Sequence, residues 1–79
     1  MRHLLPLRYV DAVARAGSIR KAAERLAITS TALNRRILAM EEELGVPIFE
    51  RLPGGVRLST AGELFVLHAR GQIADMERL

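Results

Sequence analysis

Apolar residues recur three and four positions apart along most of the first half of the chain, a spacing that indicates amphipathic helices. The first helix is predicted over about residues 5–15, because Pro6 suits a first helical position and Gly17 suits a left-handed cap. Ser18 is a good N-cap for a second helix over about residues 19–26. The first third of the chain is therefore predicted to form two helices.

A third helix is predicted over about residues 30–44, with Thr29 as its N-cap and Gly45 at its end. One face of this helix is apolar, and we expect four residues on it to point inward: Leu33, Ile37, Met40 and Leu44. Ile28, in the preceding turn, is expected to be buried at the corner. A short helix, a turn of about three residues and a longer helix form the helix-turn-helix pattern.

The hydrophobic pattern changes from helical spacing to alternation after the third helix. Residues 48–51 and 56–58 alternate as half-buried strands do, and the Pro-Gly-Gly sequence at residues 53–55 is a strong turn signal. This segment is predicted to form a short two-stranded hairpin, the wing of a winged helix. A hairpin this short is marginal in water, so we expect Phe49 and Leu58 to anchor it on the helices.

A last helix is predicted from Ser59 or Thr60, either of which suits an N-cap, to about the end of the chain. Thr60 and Glu63 have the spacing of a capping box. The predicted fold is mainly α. It consists of a winged helix-turn-helix over residues 1–58, with a three-helix core and a short β-hairpin wing, and a long C-terminal helix over residues 59–79.

Composition narrows the functions available to this fold. The chain has 79 residues and no cysteine, which excludes a disulfide framework and a thiolate zinc site. Its two histidines, His3 and His68, lie far apart and do not indicate a metal site. No nucleophile–base pair is evident, so neither an enzyme nor a cofactor is expected. The sequence has neither an apolar run of about 20 residues nor a signal peptide, so we expect a cytoplasmic protein with no membrane partner.

Positive charge is concentrated in the first half of the chain. Residues 1–40 contain eight arginines and lysines against two acids, and residues 41–79 contain four against seven, so the halves carry +6 and −3 of the net +3. Eleven of the twelve cations are arginine, which pairs bidentately with phosphate and guanine. This distribution favours a polyanion partner, and the alternative is an ordinary solvated surface of mixed charge.

Taken together, these residues resemble the N-terminal DNA-binding domain of LysR-type transcriptional regulators over about residues 4–65, most of the chain. A Gly-Ser-x-x-x-Ala-Ala element is followed by Leu-Gly-x-x-x-Phe-x-Arg at the family's spacing, which is more specific than a helix-turn-helix pattern alone. The residues that carry the resemblance are Leu7, Ser18, Ala22, Ala23, Leu26, Ile37, Glu41, Leu44, Gly45, Phe49, Arg51, Val56, Leu58, Ala61 and Gly62.

The resemblance implies a bacterial, cytoplasmic, nucleoid-associated protein that regulates transcription. It implies that the third helix, about residues 30–44, enters the major groove and that the wing, about residues 48–58, lies near the minor groove. The last helix is then a linker helix that pairs two subunits. In the family a much larger effector-sensing domain follows, so this chain looks like a truncated fragment, and a small-molecule effector would act only through the missing part.

The resemblance is weakest at the start of the third helix. Where the family commonly has Gln, then Pro or Ser, and later Ser, this chain has Ser30, Thr31 and Asn34, and Arg36 stands where Gln is frequent. The scaffold positions match while the groove-facing positions do not. We therefore expect recognition of a DNA sequence that is less usual for the family.

Side chains opposite the apolar face of the third helix are the candidate base readers. Arginine pairs with guanine, asparagine pairs bidentately with adenine, and the threonine methyl contacts the thymine methyl. The predicted base-reading residues are Ser30, Thr31, Asn34 and Arg35. The alternative for Ser30 is a capping role only, and for Asn34 an ordinary exposed polar residue. The acidic run Glu41-Glu42-Glu43 would repel DNA and is expected to point away from it, toward solvent or toward arginine or lysine partners at helical spacing.

Phosphates are expected to meet the helix N-termini, where free N–H groups and the helix dipole favour anions, and the basic residues of the wing. The predicted phosphate-binding residues are Ser18, Arg20, Lys21, Thr29, Arg36, Arg57 and, from the resemblance, Arg51. Arg36 lies about 100° round the helix from Arg35, so it is assigned to phosphate or to an acidic neighbour. The alternative for Arg20 and Lys21 is a solvated first turn, and for Thr29 a cap alone.

The last helix carries a second predicted surface. Beyond about residue 68 the domain offers little to pack against, so we expect the helix of a second subunit there. The predicted dimerisation residues are Phe65, Ala69, Gln72, Ile73, Met76 and Leu79. The chain is thus predicted to bind double-stranded DNA specifically, as a homodimer on an inverted-repeat operator. The alternative is a winged-helix module for protein–protein contact without specific DNA binding.

Overall fold

A computed structural model describes residues 4–79 of the chain. The elements are, in order, α1 (Leu4–Ala16), α2 (Ile19–Leu26), α3 (Ser30–Leu44), β1 (Phe49–Leu52), β2 (Gly55–Leu58) and α4 (Thr60–Glu77). This confirms the predicted mainly helical, winged helix-turn-helix architecture. No helix among residues 4–79 combines the length and the apolar character needed to span a membrane.

The caps of the helix-turn-helix unit are those predicted from the sequence. The Ser18 hydroxyl oxygen accepts the Lys21 N–H at 3.2 Å, and the Thr29 hydroxyl oxygen accepts the Ala32 N–H at 3.1 Å. The turn between α2 and α3 contains no glycine, so Ala27 itself takes the left-handed conformation at φ 58°. These caps satisfy backbone N–H groups that a helix leaves unpaired, and they fix where α2 and α3 begin.

Ser59, rather than Thr60, is the N-cap of α4. The Ser59 hydroxyl accepts the Gly62 N–H at 2.9 Å and donates to the carbonyl oxygen of Pro47 at 2.7 Å. The capping box predicted for Thr60 and Glu63 is therefore wrong, because Gly62 occupies the third helical position and has no side chain to return a hydrogen bond. Ser59 instead ties the start of α4 to the segment that enters the wing.

Residues of α1, α2, α3, β1 and α4 form the core, together with Ile48, the residue before β1. Its buried members are Tyr9, Val10, Val13, Ala22, Ala23, Leu33, Ile37, Ile48, Phe49 and Val66. The predicted wing anchor Phe49 is buried, and the second anchor, Leu58, is half-buried, as is Ile28 at the corner. The prediction that Leu44 points inward is wrong, because the last turn of α3 extends beyond the core and leaves Leu44 46% exposed.

Leu44 lines a groove of about 360 Å³ between α1, α3 and α4, which we call the α1–α3–α4 groove. Its other lining residues are Pro6, Leu7, Arg36, Ala39, Met40, Glu43 and Phe65. The groove explains why part of the predicted inward face of α3 remains accessible. The first turns of α3 are covered by neighbouring helices, whereas its last turn only borders them.

The wing is an antiparallel hairpin that is fastened to the helices at both ends. Phe49 pairs with Leu58 at its base, and the Val56 N–H donates to the Gly17 carbonyl at 3.1 Å. On the other side, the Glu41 carboxylate of α3 accepts the N–H groups of Ile48 at 2.7 Å and Phe49 at 3.1 Å. The expectation that Glu41 points toward solvent or toward a basic side chain at helical spacing is wrong, because its carboxylate holds the first strand against α3.

Helix α4 packs along α1 for most of its length. Ala69 is fully buried and Ile73 is 8% exposed within this one chain. Arg70 donates to Asp11 at 2.6 Å, and Arg8 donates to Glu77 at 3.0 Å. The prediction that residues after about 68 lack intramolecular packing is therefore wrong, and Ala69 and Ile73 contribute to the α1–α4 contact rather than to a free face.

Candidate nucleic-acid interface

The outward face of α3 brings three of the four predicted base readers together. Thr31, Asn34 and Arg35 line a shallow hollow of about 390 Å³, which we call the α3 hollow. Thr31 and Arg35 are exposed, and Ser30 is exposed at the first position of the same helix. The regular spacing of a helix produces this arrangement, because residues three and four positions apart lie on one face.

Asn34 differs from its neighbours because its side chain is half-buried. Its amide oxygen is enclosed and accepts no hydrogen bond from the described residues. A bidentate pair with adenine needs both the oxygen and the nitrogen of the amide, so Asn34 would have to rotate to make it.

The acidic run of α3 is divided among three environments. Glu41 holds β1, and Glu43 lines the α1–α3–α4 groove. Glu42 lines the α3 hollow, two turns beyond Arg35, so the expectation that all three acids point away from the candidate DNA face is wrong for this residue. The periodicity of the helix decides this, since Glu42 follows Arg35 by seven positions and returns to the same side. Positive charge on the outward face is therefore confined to the first half of α3.

The predicted phosphate-binding residues at the helix N-termini are accessible. Arg20 and Lys21 are exposed in the first turn of α2, and Arg20 forms an ion pair with Glu24 at 2.8 Å. Ser18 and Thr29 use their hydroxyl oxygens as cap acceptors, which leaves each hydroxyl hydrogen available to an anion. An exposed ion pair such as that of Arg20 is worth at most about 1 kcal/mol, so a phosphate can displace it.

The wing presents two of the predicted phosphate-binding arginines. Arg51 is exposed on β1, and Arg57 is exposed on β2, where its Nε lies 2.8 Å from a carboxylate oxygen of Glu50. The turn between the strands contains Gly54 with φ 87°, a left-handed conformation that glycine adopts without steric cost. The wing therefore combines two exposed guanidinium groups with a turn that carries little side-chain bulk at its tip.

Arg36 faces a different side of α3 from Arg35. Its guanidinium carbon lies 5.6 Å from the centre of the Tyr9 ring, within the range of a cation–π contact, and Arg36 also lines the α1–α3–α4 groove. The sequence offered phosphate or an acidic neighbour as partners for Arg36 and did not indicate this aromatic one. Its phosphate contact stays a prediction, whereas its separation from Arg35 agrees with their spacing.

Comparison with known proteins decides the family. Residues 4–63 match the family described as "Bacterial regulatory helix-turn-helix protein, lysR family". The chain belongs to the lysR family. This LysR-family domain is 42% identical over 72 residues to the HTH-type transcriptional regulator TfdT of Cupriavidus pinatubonensis (strain JMP 134 / LMG 1197), covering 91% of this chain and 32% of TfdT. It is 48% identical over 64 residues to the HTH-type transcriptional regulator ClcR of Pseudomonas putida, covering 81% of this chain and 22% of ClcR.

Solved structures of LysR-family DNA-binding domains have the same fold. The DNA complex of the CbnR DNA-binding domain aligns with a TM-score of 0.90 at 36% identity, covering 95% of this chain and 86% of that one. The complex of the BenM DNA-binding domain with the catB site 1 DNA aligns with a TM-score of 0.90 at 35% identity, covering 95% and 81%. The LysR-family domain described here spans less than a third of the length of TfdT and ClcR.

Two structural features of the LysR-family domain were missed by sequence reasoning. One is the role of Glu41, although a signal existed: Glu41 is among the residues that carry the resemblance, and Glu42 and Glu43 are not. The other is the place of Leu64 and Leu67 on the free face of α4, where they are 68% and 72% exposed, because the predicted dimerisation set did not include them. Their spacing of three was visible in the sequence. Only the packing of α4 on α1 distinguishes this exposed side from the buried one.

Proposed function

We propose that this chain binds a specific double-stranded DNA sequence and thereby regulates transcription. In this proposal the first turns of α3 enter the major groove and the wing lies near the minor groove. Ser30, Thr31, Asn34 and Arg35 are the base-reading set. The observation that carries the proposal is the α3 hollow, where exposed hydrogen-bonding side chains share one helix face. The similarity to the DNA complexes of CbnR and BenM supports this placement.

The phosphate contacts in this proposal surround the base-reading set. They come from Ser18, Arg20, Lys21, Thr29, Arg36, Arg51 and Arg57. Arginine and lysine side chains, helix N-termini and hydroxyl groups are the usual donors to DNA phosphates, and such contacts set the register without reading sequence. We place this activity on the bacterial nucleoid, in the cytoplasm, because chromosomal DNA is the proposed partner.

Arg35→Ala and Arg20→Ala test the division between base reading and phosphate binding. We expect Arg35→Ala to weaken binding to a duplex selected from a random pool by about 10- to 100-fold, the loss associated with one bidentate arginine–guanine pair. The same substitution should weaken binding to a random duplex by a smaller factor. Arg20→Ala should weaken both duplexes by a similar factor, because a phosphate contact is independent of sequence. Fluorescence anisotropy at two salt concentrations measures both effects and the salt dependence expected from counterion release.

The outcome of this experiment separates the proposal from its alternative. Equal losses on both duplexes for Arg35→Ala would remove its base-reading role. Weak binding that does not change with salt would instead favour the alternative, a winged-helix module that contacts another protein. The proposal predicts a steep fall in affinity as salt is added, since several exposed cations would each release a counterion.

We further propose that the chain acts as a homodimer through the free face of α4, on an inverted-repeat operator. Phe65, Gln72, Met76 and Leu79 remain from the predicted dimerisation set, and Leu64 and Leu67 join them because these leucines are strongly exposed. Ala69 and Ile73 are excluded because they are buried in the α1–α4 contact. A two-fold dimer would present two copies of α3 to successive turns of the major groove.

Leu64→Glu is the test of this dimer. Its side chain is exposed in the single chain, so we expect the helical circular dichroism to stay unchanged while the dimer dissociates at least about tenfold more readily, because a charge would be buried in the contact. Leu38→Glu is the control, since Leu38 is also exposed but lies on α3. Sedimentation equilibrium measures the self-association of both variants. Unchanged association of Leu64→Glu, or equal loss in both variants, would contradict a dimer through α4.

A further inference from the structure

A second positively charged surface lies on the side of α1 that faces away from the core. Two adjoining hollows of about 270 Å³ and 280 Å³ share Arg8, Asp11 and Arg15 of α1. Arg25 of α2 borders the first hollow, and Arg70 of α4 borders the second. We call these two hollows together the arginine cleft. Neither the base-reading set nor the phosphate-binding set includes any of its residues.

Asp11 organises two of these arginines. One of its carboxylate oxygens accepts from Nε of Arg15 at 2.9 Å, and the other accepts from Nε of Arg70 at 2.6 Å. Each guanidinium group therefore meets Asp11 through Nε, which leaves its two terminal nitrogens for another acceptor. Two parallel terminal N–H groups form the fork that binds a carboxylate or a phosphate bidentately.

The protonation state of Asp11 supports this arrangement. Burial raises the pKa of Asp11, but hydrogen bonds and positive charge from Arg15 and Arg70 outweigh burial and bring the pKa below its ordinary value. Asp11 is therefore ionised at neutral pH and holds both arginines in place. This contribution is complete above about pH 5 and is lost only as the pH falls through the lowered pKa.

The charge of the cleft is positive overall. Its four arginines face two carboxylates, those of Asp11 and Glu77, so the net charge is 4 − 2 = +2. Arg8 is paired with Glu77 at 3.0 Å, an exposed pair that a competing acid can replace. A concave surface with a net charge of one sign concentrates counter-ions of the opposite sign. The cleft is therefore suited to an anionic partner.

The arginine cleft and the α3 hollow lie on opposite sides of the core. Tyr9 of α1 faces α3, where Arg36 lies over its ring, and Val10 and Val13 are fully buried. Arg8, Asp11 and Arg15 occupy the other side of α1, and Thr31, Asn34 and Arg35 occupy the outward side of α3. A duplex in contact with α3 would thus be separated from the cleft by the body of the domain, and its phosphates are not the partner that fits.

We propose that the arginine cleft binds a carboxylate-rich segment of another protein. Each hollow also contains apolar lining, Ala12 and Leu26 in the first and Ile73 and Ala74 in the second. A segment that alternates acidic and apolar side chains matches this surface, with carboxylates on the arginine forks and apolar groups between them. A free anion would occupy one fork and leave the apolar lining uncovered. The cleft lets the chain hold such a segment while α3 is engaged elsewhere.

An NMR titration of the nitrogen-labelled chain tests the proposal. The probe is a short acetylated and amidated peptide that alternates glutamate with leucine, and the control peptide replaces glutamate with glutamine. We expect the largest shifts at the Nε–H signals of Arg15 and Arg70, and none of comparable size from the glutamine peptide.

The double variant Arg15→Gln with Arg70→Gln should bind the acidic peptide at least about tenfold more weakly. The double variant Arg51→Gln with Arg57→Gln removes the same charge from the wing and should change the affinity less than about twofold.

Asp11→Ala separates a preorganised cleft from simple attraction between charges. Removing this carboxylate makes the chain more positive, so attraction alone would tighten peptide binding. Loss of the arginine geometry should instead weaken it. Tighter binding to Asp11→Ala, equal losses in the two double variants, or shifts centred on the start of α3 would each overturn the proposal. Equal shifts with inorganic phosphate at the same concentration and ionic strength would also overturn it, by identifying a free-anion site.

Discussion

Gly62→Ala is expected to lower the free energy of unfolding by at least about 3 kcal/mol, near or beyond the upper end of the usual cost of overpacking. A Cβ atom at this position would lie 2.0 Å from the carbonyl oxygen of Ile48 and 2.9 Å from its carbonyl carbon. Both are backbone atoms, and Ile48 is 1% exposed, so neither can move aside as a flexible side chain would. The same carbonyl accepts the Ser59 N–H at 2.9 Å. The first turn of α4 would therefore have to move away from the backbone of Ile48, the residue before β1.

Gly71→Ala is the matched control, because it makes the same substitution in the same helix. A Cβ atom at Gly71 would meet no atom within 4 Å apart from its chain neighbours and the backbone of its own helix, and alanine favours a helix over glycine by about 0.5–1 kcal/mol. We therefore expect Gly71→Ala to raise stability slightly in the monomeric chain. Urea unfolding followed by circular dichroism, at concentrations where the chain is monomeric, measures both variants. Similar small effects of the two substitutions would show that Gly62 is not a close-contact position.

Glu41→Ala is expected to destabilise the domain by about 2–4 kcal/mol, because each buried N–H group left without an acceptor costs about 1–3 kcal/mol. Glu41 is the acceptor for the N–H groups of Ile48 and Phe49, and both residues are buried in the core. A domain of this length is stable by only about 4–12 kcal/mol, so this loss is a large fraction of the total. Because Glu41 belongs to α3 and its partners lead into β1, the variant should also loosen the wing against α3.

Glu42→Ala and Glu43→Ala are the controls for Glu41→Ala, since they remove neighbouring exposed carboxylates from the same helix. We expect each to change stability by less than about 0.5 kcal/mol. Glu41→Gln should destabilise the domain less than Glu41→Ala and more than the two controls, because its amide oxygen still accepts a hydrogen bond but carries no charge. The measurement is urea unfolding of all four variants. A Glu41→Ala effect no larger than that of Glu42→Ala would mean that the two hydrogen bonds do not stabilise the wing.

The limits of sequence reasoning are visible at Ser59 and Thr60, two adjacent residues that both suit an N-cap. Serine is the better cap, whereas the spacing of Thr60 and Glu63 favours a capping box, so the local signals disagree. The choice is made by the Pro47 carbonyl, which accepts the Ser59 hydroxyl hydrogen from a position twelve residues earlier in the chain. Asn34 shows the same limit within the candidate DNA interface. Its place on the outward face follows from helical spacing, but the enclosure of its amide oxygen depends on the surrounding packing.

Local structure in this protein follows from its sequence: the extents of α2 and α3, the caps Ser18 and Thr29, and the hairpin turn. These features depend on interactions between residues three or four positions apart, which any window of the chain contains. Contacts between distant segments place the Glu41 carboxylate on the wing, bury Ala69 and Ile73 between α1 and α4, and bring arginines from two helices to Asp11. The physical reason is that burial and hydrogen bonding depend on atoms brought together from distant segments, and residue spacing along one helix does not specify which segments will meet.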